Sequence, residues 1–262
     1  SRMAAYEQVL LGGVALFNSS GEVSRSTFRD YVSSINIEKN YPGIQGIGFS
    51  IPLKKEELTE HINQIEAEGF LDYSIKPSTE RAEYSSILYL EPFDWRNRRA
   101  FGYDMWSNEI RRLAMAQSRD SGKAVMSGII TLVQETNRNV QKGFLTYLPV
   151  YKKGMPTIST KDRRAAFKGW VYSPFRAGDL MKGILGTKDL SVGFELFDHE
   201  YDSENLLYDS DTLQLTFNNK STASFIKESN IEINGRPLKL LLHSQNNIVD
   251  KGIITPPLII GT

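Results

Sequence analysis

The sequence predicts an α+β fold: helices at the N-terminus, then two tandem units that each mix short strands with a helix. Three observations carry this. Met3, Tyr6, Leu10, Gly13 and Phe17 recur at helical spacing. Downstream, short runs rich in Ile, Leu, Tyr and Val are separated by Gly, Pro and Asn turn signals. A strand, a proline and a helical stripe then occur twice. Pro52, Leu58 and Ile62 are matched by Pro174, Leu180 and Ile184, an offset of 122 residues.

The elements follow in order. The first helix is interrupted at Asn18-Ser19-Ser20-Gly21. A second helix starts after Ser24 and runs to about Lys39, with Phe28, Val32 and Ile35 on its apolar face. The first stripe packs on its own domain or forms a stalk that pairs with a second chain. Gly43 to Ile51 is glycine-spaced, then strand-like. Its G-x-x-G-x-G order reverses the dinucleotide fingerprint and follows a helix, which excludes that reading. Pro52 opens a helix with Leu58, Ile62 and Ile65 as its stripe and Gly69 as its stop. Strands are expected at 71–75, 85–91, 123–135 and 143–152, with a turn at Asn137-Arg138-Asn139. The polar stretch around Gly154 and Pro156 reads as a linker to about Lys161. Strands at 192–197, 205–208, 221–226, 237–244 and 258–260 complete the second unit, with Asn234-Gly235 as a hairpin turn.

Composition narrows the chemistry. The chain has 262 residues, with 31 basic and 31 acidic side chains, so it carries no net charge that would favour nucleic acid. Arg96-Asn97-Arg98-Arg99, the densest basic cluster, reads as a solvated loop. The absence of cysteine removes thiol catalysis, zinc thiolates and disulfides. His61, His199 and His243 lack metal-site spacing, so no metal or other cofactor is expected. No serine sits in G-x-S-x-G, and Ser127-Gly128 reads as a strand bend. Glu56-Glu57 suits a helix start, and Glu66 and Glu68 a solvated helix end. No catalytic residue is assigned. The longest apolar run near the start, Val9 to Phe17, is too short to span a bilayer. The opening Ser-Arg-Met falls within a helical pattern, which suggests a segment of a longer chain.

The most informative helix is expected at Asn108–Ser121, capped by Ser107 and stopped by Gly122. Arg111 and Arg112 fall in its first turn, where a cation is unfavourable by roughly 0.3–1 kcal/mol. Arg112 has Glu109 three residues before it. Arg111 has only Ser107 and Asn108 at the corresponding positions. An anion at the helix mouth would offset the dipole penalty, so Arg111 is the better ligand candidate. Tyr89, Tyr103, Trp106 and Tyr147 are aromatics suited to a pocket wall or to a core.

Several motifs in this order resemble bacterial CHASE domains. They are Arg2-Met3-x-x-Tyr6-Glu7-Gln8-Val9-Leu10, Tyr41-Pro42-Gly43-Ile44-Gln45-Gly46-Ile47-Gly48-Phe49 and Gly102-Tyr103-Asp104-Met105. Asp120-Ser121-Gly122-Lys123-Ala124-Val125, Leu148-Pro149-Val150-Tyr151 and Gly169-Trp170-Val171-Tyr172 continue the series. The likeness runs to about Ile184. CHASE domains are extracytoplasmic sensor domains of transmembrane histidine kinases and diguanylate cyclases, and plant cytokinin receptors carry the same domain type.

The resemblance implies a long N-terminal stalk helix followed by two tandem PAS-like units with antiparallel sheets. On this basis residues 1–40 form the stalk and second helix, 41–155 a membrane-distal ligand-binding unit, and 156–262 a membrane-proximal unit. It also implies transmembrane helices on either side, a homodimer through the N-terminal helix, and a periplasmic or extracellular location. The expected ligand-binding residues are Tyr89, Tyr103, Asp104, Trp106, Arg111, Ser127, Thr131, Val133 and Tyr147. In the plant receptors an acidic residue reads the adenine ring, and the ungapped match places Arg111 there. Val133 and Tyr147 fall near two further plant pocket positions. A cation in place of that acceptor opposes adenine and favours an anionic small molecule such as a carboxylate. The rival readings are an ectodomain for a protein ligand, a dimerisation scaffold, and a soluble hydrolase.

Overall fold

The N-terminal stripe forms α1 (Arg2–Ser19), which buries Tyr6, Val9, Leu10, Gly13 and Phe17. These facts come from a computed structural model that describes residues 2–136, 139–186, 192–211 and 225–244. α2 (Arg25–Ile35) is capped by the Ser24 side chain, which accepts from Thr27 N–H, and it buries Phe28 and Val32. The single helix expected to Lys39 is broken at Asn36. That residue adopts a left-handed conformation (φ 52°), and a separate turn, α3 (Ile37–Asn40), follows. Asparagine tolerates this region better than most side chains, which is why the break falls there.

The main sheet is antiparallel, in the order β2-β1-β6-β5-β3, with β4 also on β5. Its strands are β1 (Ile47–Lys54), β2 (Glu83–Glu91), β3 (Val125–Met126), β4 (Ile130–Thr131), β5 (Lys142–Tyr151) and β6 (Phe167–Arg176). Pro52 lies inside β1, opposite Ser85, and does not open a helix. β1 pairs with β6 only over Gly48–Ser50, so beyond Ser50 the strand has one neighbour and a missing N–H is tolerated there. The helix starts later, as α4 (Leu58–Ala67), after a 3-10 turn at Lys55–Glu57. Residues 71–75 form no strand; Tyr73 and Ile75 are buried in a small cluster with Ile65 and Tyr84.

The two glycine-rich segments at 46–53 and 169–175 do not start separate units. They are partners in one sheet, with Gly48 opposite Tyr172 and Ser50 opposite Trp170. The reading of 156–161 as a divider fails for the same reason. A short helix, α6 (Thr160–Ala166), held by a Ser159–Asp162 capping box, leads straight into β6. α7 (Ala177–Leu185) follows β6. The first compact unit therefore spans Ser1–Gly186 with Glu232–Arg236, and the second Thr187–Ile231 with Pro237–Thr262. The division expected at 155 moves to Gly186.

Strand alternation gives the first sheet two different faces. One is covered by the N-terminal helices: Phe17 stacks on Phe49 at 3.9 Å, and Tyr6 packs on Phe175 at 5.7 Å. The opposite face carries Leu90, Tyr147, Trp170 and Tyr172, in one core cluster with Met105 and Met115. It is covered by α5 (Glu109–Ser121), whose Met115 carbonyl accepts from Trp170 Nε1 at 2.9 Å.

The second unit has its own four-stranded antiparallel sheet, ordered β8-β7-β10-β9. Its strands are β7 (Val192–Asp198), β8 (Leu206–Asp209), β9 (Ile226–Ile233) and β10 (Arg236–Ser244). Asn234 (φ 46°) and Gly235 (φ 73°) both take the positive φ that a tight hairpin needs. Phe194, Leu196, Leu238 and Leu241 are buried in this sheet. The expected strand at 258–260, most of that at 221–226, and Asn137-Arg138 of the expected turn lie outside the described residues.

Candidate functional site: a buried arginine under the sheet

α5 places the decisive side chain. Its N-cap is Asn108, not Ser107: Asn108 Oδ1 accepts from Arg111 N–H at 3.1 Å, while Ser107 donates to the Asp104 carbonyl. The asparagine lies one position nearer the first turn, where its acceptor reaches the orphan N–H groups. Gly122 closes the helix in the left-handed region, φ 76°, as the sequence indicates.

Arg111 turns inward and is only 5% exposed. Nη1 donates to Tyr103 Oη at 3.2 Å and Nη2 donates to the Thr131 carbonyl at 3.1 Å. The guanidinium also lies over the Tyr103 ring, 5.2 Å from its centroid. All these partners are neutral. Among the described residues no carboxylate pairs with Arg111. Arg112, expected to pair with Glu109, instead donates to the Trp106 carbonyl.

A small cavity of about 10 Å³ adjoins the arginine, enough for one water. Tyr103, Arg111 and Val133 line it, together with Ile87, Met105 and Leu145. Tyr172 also lines it, and its buried hydroxyl has no hydrogen-bond partner. Burial pushes the Tyr172 phenol well above its ordinary value. Neighbouring Tyr147 adds to this and Arg111 opposes it. Burial likewise raises the Tyr147 phenol, against Arg111, so both hydroxyls stay protonated. Tyr147 Oη reaches only Met105 Sδ, at 3.6 Å, a weak acceptor.

The remaining expected residues do other work. Thr131 contributes its carbonyl to Arg111, and its side chain is exposed. Tyr89 lies on the opposite face of the sheet, near Phe28, and donates to the Val23 carbonyl. The pleat forbids it from reaching Arg111. Asp104 is fully buried and saturated. It accepts from Ser85 N–H and Oγ and from Trp106 N–H, and it pairs with Arg81 at 2.7 Å. Trp106 packs on Trp170 with Arg119 over its ring. Ser127 is the bend between β3 and β4: its Oγ accepts from Leu145 N–H and donates to the Gly128 carbonyl.

The sequence reading missed Tyr172. Its segment was assigned to the second unit, and only the pairing of β1 and β5 with β6 brings it under α5. The one trace in the sequence is Gly48, whose missing side chain makes room for the ring: a Cβ there would strike the Tyr172 ring and hydroxyl. Among the described residues no group of three His, Asp or Glu is placed to hold a metal ion.

The CHASE domain family model matches residues 21–208, more than half of the chain. This chain belongs to the CHASE domain family. No curated protein matches it. Two solved structures share its fold at low sequence identity. The periplasmic sensory domain of the Campylobacter jejuni chemoreceptor Tlp1 superposes with a TM-score of 0.51 at 8% identity, covering 96% of this chain and 90% of that one. An extracellular ligand binding receptor from Desulfohalobium retbaense gives 0.52 at 10% identity, covering 91% of this chain but 36% of the other. The CHASE domain described here is an extracytoplasmic sensor domain of a membrane signalling receptor. Among the described residues no helix is long and apolar enough to cross a membrane.

Proposed function

We propose that this CHASE domain senses a small anionic molecule bound by Arg111 in the first unit, and that occupancy is relayed through β5 and β6 to α1. The supporting observation is a buried guanidinium without a counter-charge beside a buried hydroxyl without a partner. Each is costly when left unmatched, and one anion satisfies both. The relay rests on the sheet. Leu145 and Tyr172 line the cavity from β5 and β6, while Phe144 and Phe175, on the same two strands, stack at 4.9 Å on the α1 side. The ligand shifts the equilibrium between two α1 arrangements by its difference in affinity for them. In the parent receptor the unit holding Arg111 is membrane-distal, α1 pairs with its copy, flanking transmembrane helices anchor the chain, and a kinase or cyclase domain reads the output.

A second reading, a protein-binding or dimerisation scaffold, is favoured by the size of the cavity, which a ligand must enlarge. A thermal-shift screen with small organic anions separates the two. At a hundred times its dissociation constant a ligand adds about 2.7 kcal/mol of stability. The Arg111→Met variant should lose that shift while its ligand-free form melts no lower than wild type, because replacing an unmatched buried charge by an apolar side chain costs little. Hits that persist in Arg111→Met, or no hits at all, favour the scaffold.

A further inference from the structure

Resting on that reading, we infer that the ligand at Arg111 is a short aliphatic monocarboxylate that carries no ammonium group. Charge fixes the first part. Among the cavity-lining residues Arg111 is the one ionised side chain, so a single negative charge is matched and a dianion is not. The second part follows from where the acids are spent. Asp104 is saturated by Ser85, Trp106 and Arg81. Glu135, next to the lining residue Gln134, is buried in an ion pair with Arg176, Nε to Oε1 2.7 Å. The Gln134 amide nitrogen donates to Asn97. Among the described residues no carboxylate lines the cavity to face an α-ammonium, and the Thr131 carbonyl already accepts from the Arg111 cation. An amino acid would therefore bury its own cation without a partner.

The walls set the rest of the chemistry. Ile87, Met105, Leu132, Val133 and Leu145 offer only aliphatic and thioether surface to the tail. The cavity of about 10 Å³ holds one water, so any ligand must displace its walls, and the smallest acids demand the smallest displacement. One carboxylate oxygen takes the free guanidinium N–H groups and the other accepts from Tyr172 Oη. A charge-assisted hydrogen bond of this kind carries about 1.5–3 kcal/mol.

Calorimetric titration of the intact domain with propionate, alanine and propylammonium tests this. Propionate should bind at least about tenfold more tightly than alanine, and propylammonium should not bind. Tyr172→Phe should weaken propionate about tenfold or more, and Arg111→Met should abolish its binding. Alanine binding as tightly as propionate, with both lost in Arg111→Met, overturns the monocarboxylate class and leaves the Arg111 site standing. Propionate binding equally to wild type and Arg111→Met overturns the site itself. Failure of propionate to bind wild type overturns the class, and the wider anion screen then decides whether the site survives. Retained Tyr172→Phe affinity removes the hydroxyl from the recognition scheme.

Discussion

At the residue scale, two of the buried polar arrangements described in the first unit have opposite logic. Arg111 is charged and unmatched, whereas His61 is matched and neutral. His61 Nε2 lies 3.0 Å from Tyr73 Oη and 2.9 Å from Ser86 Oγ. Burial lowers its pKa below 6.5, with Glu68 opposing. The sign follows by linkage. The unfolded chain takes up a proton near pH 6.5 that the folded imidazole resists, so stability is fully present above that pH and is lost as pH falls toward the depressed folded value. The urea midpoint of wild type should drop between pH 7 and pH 5 more than that of His61→Gln. Parallel slopes would show that His61 does not titrate on unfolding. Arg111 was legible because no acid lies three or four residues before it. Tyr172 was not, because it pairs with Gly48 in β1, 124 residues before it, and with Tyr147 in β5, and no local pattern fixes either register.

At the element scale, α5 was readable almost to the residue, because the glycine stop falls at Gly122 as the sequence indicates and the cap is off by one, Asn108 in place of Ser107. β1 was not, because the proline that looks like a helix opener is allowed only by the shortness of its pairing with β6, a tertiary fact. α6 was missed although Ser159-x-x-Asp162 is a capping pattern; its surroundings are polar and read as loop. α1 gives the sharper lesson. Its stripe predicts a buried face but not what buries it, and in the structure that face lies on its own sheet. Leu10→Ala should therefore destabilise the first unit by about 2–5 kcal/mol in a urea melt, at any protein concentration. A loss that vanishes on dilution would instead assign Leu10 to a contact between copies. A dimer built through α1 is left with its outer positions, such as Gln8 and Leu11.

At the scale of the whole molecule, the chain divides into two units with separate cores. The sequence suggests two units but misplaces their border, since a polar stretch between strands looks the same inside a domain as between domains. Leu241 belongs wholly to the second core, at 1% exposure. Leu241→Ala should raise amide hydrogen exchange throughout β7 and β10 while leaving β5 and β6 protected. Equal loss of protection in both sheets would mean that the units unfold as one.

β5 and β6 touch the Arg111 cavity with one set of side chains and α1 with the alternate set. Thermodynamic reciprocity then applies in both directions. If a bound anion alters how α1 sits by some factor in its equilibrium, whatever clamps α1, whether a neighbouring copy or the pull of a membrane anchor, alters the affinity for that anion by the same factor. On the proposed function, the receptor's threshold for its signal is then set partly outside the pocket, by the mechanical state of a helix that never meets the ligand.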